Sequence, residues 1–193
     1  GEPAMKKRTA HIHTPEIVES DKTQNSIGLL ISILVRYPEV GTIKYEPDQK
    51  VLKFTFILNK RLGSERFKTF TRKLEESLGA LAVVTQRELA LVAVERFDYK
   101  QFTLIEVKRD VESLSQEEIS LLSSLAHDYF GNSLVMEGNE PIQEEDLLLQ
   151  EELIDHMLED IKENLVEKDL IGFREEGRVF VFNKNDAWRD PKN

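Results

Sequence analysis

The 193-residue chain contains no cysteine. That excludes disulfides, thiolate metal centres and cysteine nucleophiles together, and it makes a cytoplasmic setting the expectation. Glycine is scarce and scattered, nine in all, so a glycine-rich phosphate cradle has nothing to be built from. Neither Gly-x-x-x-x-Gly-Lys nor Gly-x-Gly-x-x-Gly occurs, and Gly-x-Ser-x-Gly and His-Glu-x-x-His are missing as well. Long apolar runs are also lacking. The longest, Ile27 to Val35, is interrupted by Gly28 and Ser32, whereas a bilayer requires about 20 residues. Met5-Lys6-Lys7-Arg8 resembles the start of a secretion signal, but Thr9 to Ser26 are mostly polar and no apolar segment follows. No membrane contact is expected.

What is present is charge, unevenly placed. The formal net charge is −10, which disfavours general nucleic-acid binding because that depends on phosphate neutralisation by Lys and Arg. The stretch Lys60–Lys73 nevertheless holds six bases against Glu65 alone, and Glu137–Asp169 holds thirteen acids against Lys162 and Lys168. The chain therefore carries one basic and one acidic segment. With 40% hydrophobic residues, a substantial core is also within reach.

The periodicities predict an α+β fold. An antiparallel sheet is built from two hairpin-plus-helix (ββα) units with helices mainly on one face, and a long helix and small hairpin follow. Ser26 starts a helix that Tyr37-Pro38 ends. Gly41–Glu46 and Lys50–Leu58 form a hairpin, with Leu52, Phe54, Phe56 and Leu58 on one face. Ser64 caps a basic helix that Gly79 stops, and Ala80–Thr85 is a further short strand or a link. Leu89–Arg109 reads as the central hairpin. It turns at Asp98-Tyr99-Lys100, and Leu89–Val94 is apolar on both faces. Ser115 with Glu118 makes a capping box for a helix ending at Gly131. Lys50 matches Lys100 at an offset of 50, and Phe67, Phe70, Leu78 and Gly79 match Ile119, Leu122, Phe130 and Gly131 at an offset of 52. That pattern fits an internal repeat of the two units or, at least as well, a common ββα packing solution without duplication.

The domain reading is a flexible arm over 1–25, an α+β core over 26–131, a linker over 132–143, a helix–hairpin extension over 144–183, and a polar tail over 184–193. The long helix of the extension runs from Glu144 to Lys168, about 36 Å. Its expected apolar stripe is Leu147, Leu153, Ile154, Met157, Leu158, Ile161 and Leu165.

Along that helix Glu151, Asp155, Glu159, Glu163 and Glu167 follow one another every four residues. Like charges so spaced cost an isolated helix roughly 0.2–0.5 kcal/mol per pair, and a cationic surface would offset the cost. The bland alternative is a solvated acidic face. The first functional expectation is thus a non-enzymatic interaction or regulatory protein. It would bind a protein partner, or itself as a homo-oligomer, through Glu151, Asp155, Glu159 and Glu163. The second is an RNA-associated module using Lys60, Arg61, Arg66, Lys68, Arg72 and Lys73, with net charge against it. The third is a hydrolase or metal-dependent enzyme centred on His127 or His156. It has least support, because no nucleophile pairs with His127-Asp128 and Glu-x-x-His is missing around His156, where Leu153 stands three residues before. His11 and His13 are read as part of a solvated arm. No catalytic residue, metal ligand or cofactor is assigned.

Overall fold

A computed structural model describes residues 8–9, 20–137, 143–164 and 168–183. In chain order the elements are β1 (Arg8–Thr9), α1 (Ser20–Arg36), β2 (Thr42–Glu46), β3 (Val51–Leu58), α2 (Ser64–Thr85), β4 (Val92–Tyr99), β5 (Phe102–Asp110), α3 (Gln116–Phe130), α4 (Glu144–Glu163), β6 (Leu170–Glu175) and β7 (Arg178–Asn183). The architecture is α+β. The antiparallel sheet runs β7-β6-β2-β3-β5-β4, and the two-residue β1 extends it beyond β7.

Alternation decides which face is buried. Leu52, Phe54, Phe56 and Leu58 on β3 pair across to Arg109, Val107, Ile105 and Thr103 on β5, and all eight are fully buried. The helices pack on this face. Phe67 of α2 lies under the guanidinium of Arg96, and Glu118 of α3 reaches Arg109. Leu34 of α1 approaches Gly172, where a Cβ would stand only 3.0 Å from Leu34 Cδ1. Glycine at 172 is what lets α1 sit so close to β6. The opposite face carries Lys44, Lys53 and Lys108 in one row and Ile57, Leu104 and Phe97 in another.

The two ββα units adjoin through β3 and β5, and the order β2-β3-β5-β4 is what a two-fold axis between those strands would generate. Lys50 and Lys100 both adopt left-handed backbone, with φ of 56° and 53°, and Glu176 in the third hairpin does the same at 51°. Their turns differ, because Lys50 is the last of the four residues between β2 and β3, whereas Lys100 is the first of the two between β4 and β5.

Several boundaries differ from expectation. α1 begins at Ser20, and Ser26 lies inside it, 1% exposed. Gly79 does not stop α2, and Ala80–Thr85 is helix. The left-handed residue that ends it is Gln86, whose backbone N–H reaches back to the carbonyls of Ala82 and Val83. Ser64 is the first helical residue and Gly63 the cap, without a side-chain hydrogen bond. The hairpin expected at the centre supplies an edge instead. β4 starts at Val92, and Glu95, Phe97, Asp98 and Tyr99 on it are exposed. The apolar run Leu89–Val94 spans the approach to the strand and its beginning. Thr42–Phe173 and Ile43–Gly172 pairing joins the C-terminal hairpin to the same sheet as the core strands. The residues of the expected arm other than 8–9 and 20–25, the end of the expected long helix at 165–167 and the tail lie outside the described residues.

Candidate functional site

Helix α4 opens with Glu144, Glu145 and Asp146 and carries Lys162 in its last turn. Both placements complement the helix dipole. Its buried stripe is Ile154, Met157, Leu158 and Ile161. That stripe lies on α1, where Gly28 leaves room for Met157, since a Cβ there would meet its sulfur at 3.2 Å. The stripe is narrower than the periodicity suggests. Leu153, expected inward, is 44% exposed, and Leu148 and Leu149 are 59% and 62% exposed.

The four acids singled out on α4 have separate fates. Glu151 accepts from Arg36 Nη2 at 2.7 Å, fixing α4 to the end of α1. Glu159 pairs with Lys162 at 2.9 Å and with Arg87, just past α2, at 3.9 Å. Asp155 and Glu163 are exposed and join no ion pair among the described residues. Asp160, which the spacing argument passed over, accepts from Asn25 Nδ2 at 2.6 Å. Among the described residues, the cations meeting α4 are thus Arg36, Arg87 and its own Lys162, and none comes from 60–73. Glu167 lies outside the described residues.

The six bases do not form one surface. Arg66 and Lys73 both stand 5.2 Å from the ring centre of Tyr129 on α3. The Tyr129 hydroxyl donates to the Arg66 carbonyl at 3.2 Å. With Phe70, which lies 4.6 Å from Phe130 between ring centres, they form the α2–α3 contact. Lys68 and Arg72 project from another side of α2 and line a shallow hollow of about 450 Å³ with Phe67, Thr71, Glu75 and Glu76. Arg61 fastens the β4–β5 tip, donating to the Lys100 carbonyl at 2.5 Å and pairing with Asp98 at 3.1 Å. Lys60 is exposed.

A polar cleft of about 240 Å³ lies between the end of α1 and α3 and includes His127. The Ser123 hydroxyl donates to Glu39 Oε1 at 2.5 Å, while His127 Nδ1 is 3.7 Å from Glu39 Oε2. The serine therefore gives its proton to a carboxylate and not to the imidazole, the reverse of what nucleophile activation needs. Gln116 Nε2 donates to the Tyr37 hydroxyl at 2.8 Å, and burial pushes the Tyr37 phenol above its ordinary range despite that bond. From β6, Arg174 donates to the carbonyls of Leu34, Pro38 and Val40. Together these bonds anchor residues 37–40, so the cleft is a junction tying α1 to α3 and β6. Among the described residues no cluster of three or more His, Asp or Glu side chains is placed to hold a metal ion, His156 and its neighbours included. His11 and His13 lie outside the described residues. No described helix is long and apolar enough to cross a membrane.

The signal that spacing arguments missed is the surplus of leucine on α4. Leu147-Leu148-Leu149 followed by Leu153 exceeds what one buried stripe uses. Compared with protein-family models, curated proteins and solved structures, the chain matches none.

Proposed function

We propose that this is a non-enzymatic interaction protein of regulatory type, cytoplasmic as its lack of cysteine suggests, that binds a protein partner through the outward side of α4. The observation that carries the reading is the leucine surplus. α4 already buries one stripe against α1, yet Leu148, Leu149 and Leu153 remain 44–62% exposed beside the exposed acids Glu152 and Asp155. Leu149 and Leu153 are four apart and so share a side of the helix. A partner complementary to that surface is a basic amphipathic helix, with apolar anchors for the leucines and Lys or Arg for the acids. Glu151 and Glu159, held by Arg36 and by Lys162 with Arg87, would act by orienting α4 more than by direct contact.

The test is affinity capture with the parent chain and with Leu149→Ser combined with Leu153→Ser, each with and without nuclease. Both leucines are exposed, so the variant folds. The expected result is loss of nuclease-resistant partners in the variant. An unchanged bound set would refute the reading. Material released by nuclease would transfer the role to Lys60, Arg61, Arg66, Lys68, Arg72 and Lys73.

A further inference from the structure

Strand β4 ends the sheet, and nothing among the described residues pairs with its outer side. Its ladder with β5 runs without a skipped residue from Val92–Arg109 to Tyr99–Phe102, so no bulge turns the edge away. It contains no proline. It has few of the devices that blunt a sheet edge, apart from Glu95, Arg96 and Asp98, whose charges alternate in sign along it. On the face away from the helices, Phe97 is 44% and Tyr99 60% exposed, and Leu104 and Ile57 flank Phe97 in register.

We propose that this edge is a self-association surface, onto which a second copy of the chain adds its own β4 antiparallel across a two-fold axis, with Phe97 opposite Phe97. Within one copy Arg96 Nη1 donates to the Leu62 carbonyl at 3.0 Å and Asp98 pairs with Arg61 at 3.1 Å. The cross-copy contacts would extend these existing ones at the edge, and the pattern of charges selects both occupant and register. A two-fold axis normal to the sheet keeps each face continuous, so it pairs residues of equal parity. Centring on Phe97 places Arg96 opposite Asp98 of the second copy, twice, with Glu95 opposite Tyr99. Moving the centre to Arg96 sets Arg96 against itself. Moving it to Asp98 sets Asp98 against itself and Arg96 against Lys100. Centring on Glu95 opposes two glutamates. Centring on Val94 forms no ion pair. Centring on Tyr99 opposes Asp98 to Lys100, but β4 ends at Tyr99, so the rest of that ladder would fall on the turn and on β5, which is already paired. Like charges directly opposite are unfavourable and opposite charges favourable, so the Phe97-centred pairing is the one this sequence complements. The apolar row would then run Leu104–Phe97–Phe97–Leu104 across the joint. The surface is distinct from α4 and independent of the role assigned there.

The absence of cysteine makes the test clean. Analytical ultracentrifugation of the parent chain is expected to show a dimer. Phe97→Cys, oxidised with a mild added oxidant, is expected to give a symmetric disulfide-linked dimer. Directly opposite Cα atoms of antiparallel strands are about 4.5–5.5 Å apart, within the range a disulfide spans. Glu95→Cys alone is expected not to link, and to link when mixed with Tyr99→Cys. Asp98→Arg should weaken association about tenfold or more, and Arg96→Asp added to it should restore association. Circular dichroism checks that each variant is folded. A parent chain that stays monomeric across the accessible concentration range would overturn the proposal. So would a dimer in which Glu95→Cys links alone as readily as Phe97→Cys, or in which Asp98→Arg has no effect.

Discussion

Glu118→Ala tests the physical reading of the core most severely. Arg109 and Glu118 sit in the core at 0% and 3% exposure. Every N–H of the guanidinium is engaged. Nε donates to Glu118 Oε2 at 2.5 Å, and Nη2 to Glu118 Oε1 at 2.8 Å and to Ser113 Oγ at 3.1 Å. Nη1 donates to the Leu91 carbonyl at 2.5 Å and to Asp110 Oδ1. Burial alone would depress the guanidinium pKa, but the bonds and charges of Glu118 and Asp110 outweigh it and the net shift is upward. Removing Glu118 deletes two of five bonds and one of two counter-charges from an arginine with no access to water. Breaking a buried pair in this way costs about 3–5 kcal/mol. Asp110 still neutralises part of the charge, which puts Glu118→Ala near the lower end, about 3 kcal/mol. The capping bond is unaffected, because Ser115 Oγ accepts from the Glu118 backbone N–H. Glu118→Gln keeps the volume and isolates the charge. Arg109→Met with Glu118→Leu removes the Arg109–Glu118 pair and leaves Asp110 with its bonds from the Ser113 hydroxyl and N–H and the Leu91 N–H. It is expected to recover part of the loss, since apolar replacement of a buried pair is often neutral. Urea unfolding followed by circular dichroism at neutral pH measures all four proteins, with the midpoint shift at constant slope as the readout. Destabilisation of Glu118→Ala below about 0.5 kcal/mol, the range of ordinary surface changes, would refute the reasoning. A double variant weaker than the single would do the same.

Two more outcomes follow from local geometry. Burial pushes the Asp110 carboxyl up, but hydrogen bonds from the Ser113 hydroxyl, the Leu91 N–H and the Ser113 N–H, together with Arg109, pull it down further, and the net shift is downward. A depressed carboxylate pKa gives stability that is present above the unfolded value, about 3.9, and lost as pH falls through the folded value. Ser113→Ala should therefore raise the Asp110 pKa in an NMR titration and move acid unfolding to higher pH; an unmoved acid limb would reject this. At the first hairpin, Lys50 holds φ at 56°, a conformation that glycine adopts without the Cβ penalty. Lys50→Gly should thus stabilise the protein by about 1 kcal/mol in the same urea assay, and a loss would count against the turn geometry.

Much of this fold was legible because alternation is a direct readout of burial. Leu52, Phe54, Phe56 and Leu58 could not all face water, and their strand is at the middle of the sheet. What escaped were features that local pattern does not encode. Gly79 resembles a helix stop, yet a helix tolerates an interior glycine at about 1 kcal/mol when Leu74 and Leu78 are buried ahead of it. The Leu89–Val94 run resembles a strand covered on both sides, but apolar composition cannot tell a central strand from the lead-in to an edge. Ser115 and Glu118 were legible as a cap. That the Glu118 carboxylate would turn inward to Arg109 was not, because nine residues of chain separate them and only the β5–α3 packing brings them together. The acids of α4 were visible by spacing, whereas Arg36 and Arg87, which hold two of them, come from distant stretches.

The pairing of β2 has a consequence during translation. Strand Thr42–Glu46 bonds to β3 within its own hairpin, but its second neighbour is Leu170–Glu175, with Thr42 opposite Phe173. At about 5–20 residues per second, that side of β2 waits roughly ten seconds on the ribosome before its partner is made. A nascent chain in this state offers an open row of backbone donors and acceptors to any neighbouring polypeptide. Lys44 and Glu46, charged and at alternate positions on this short strand, are then guards of an unfinished product as well as surface residues of a finished one.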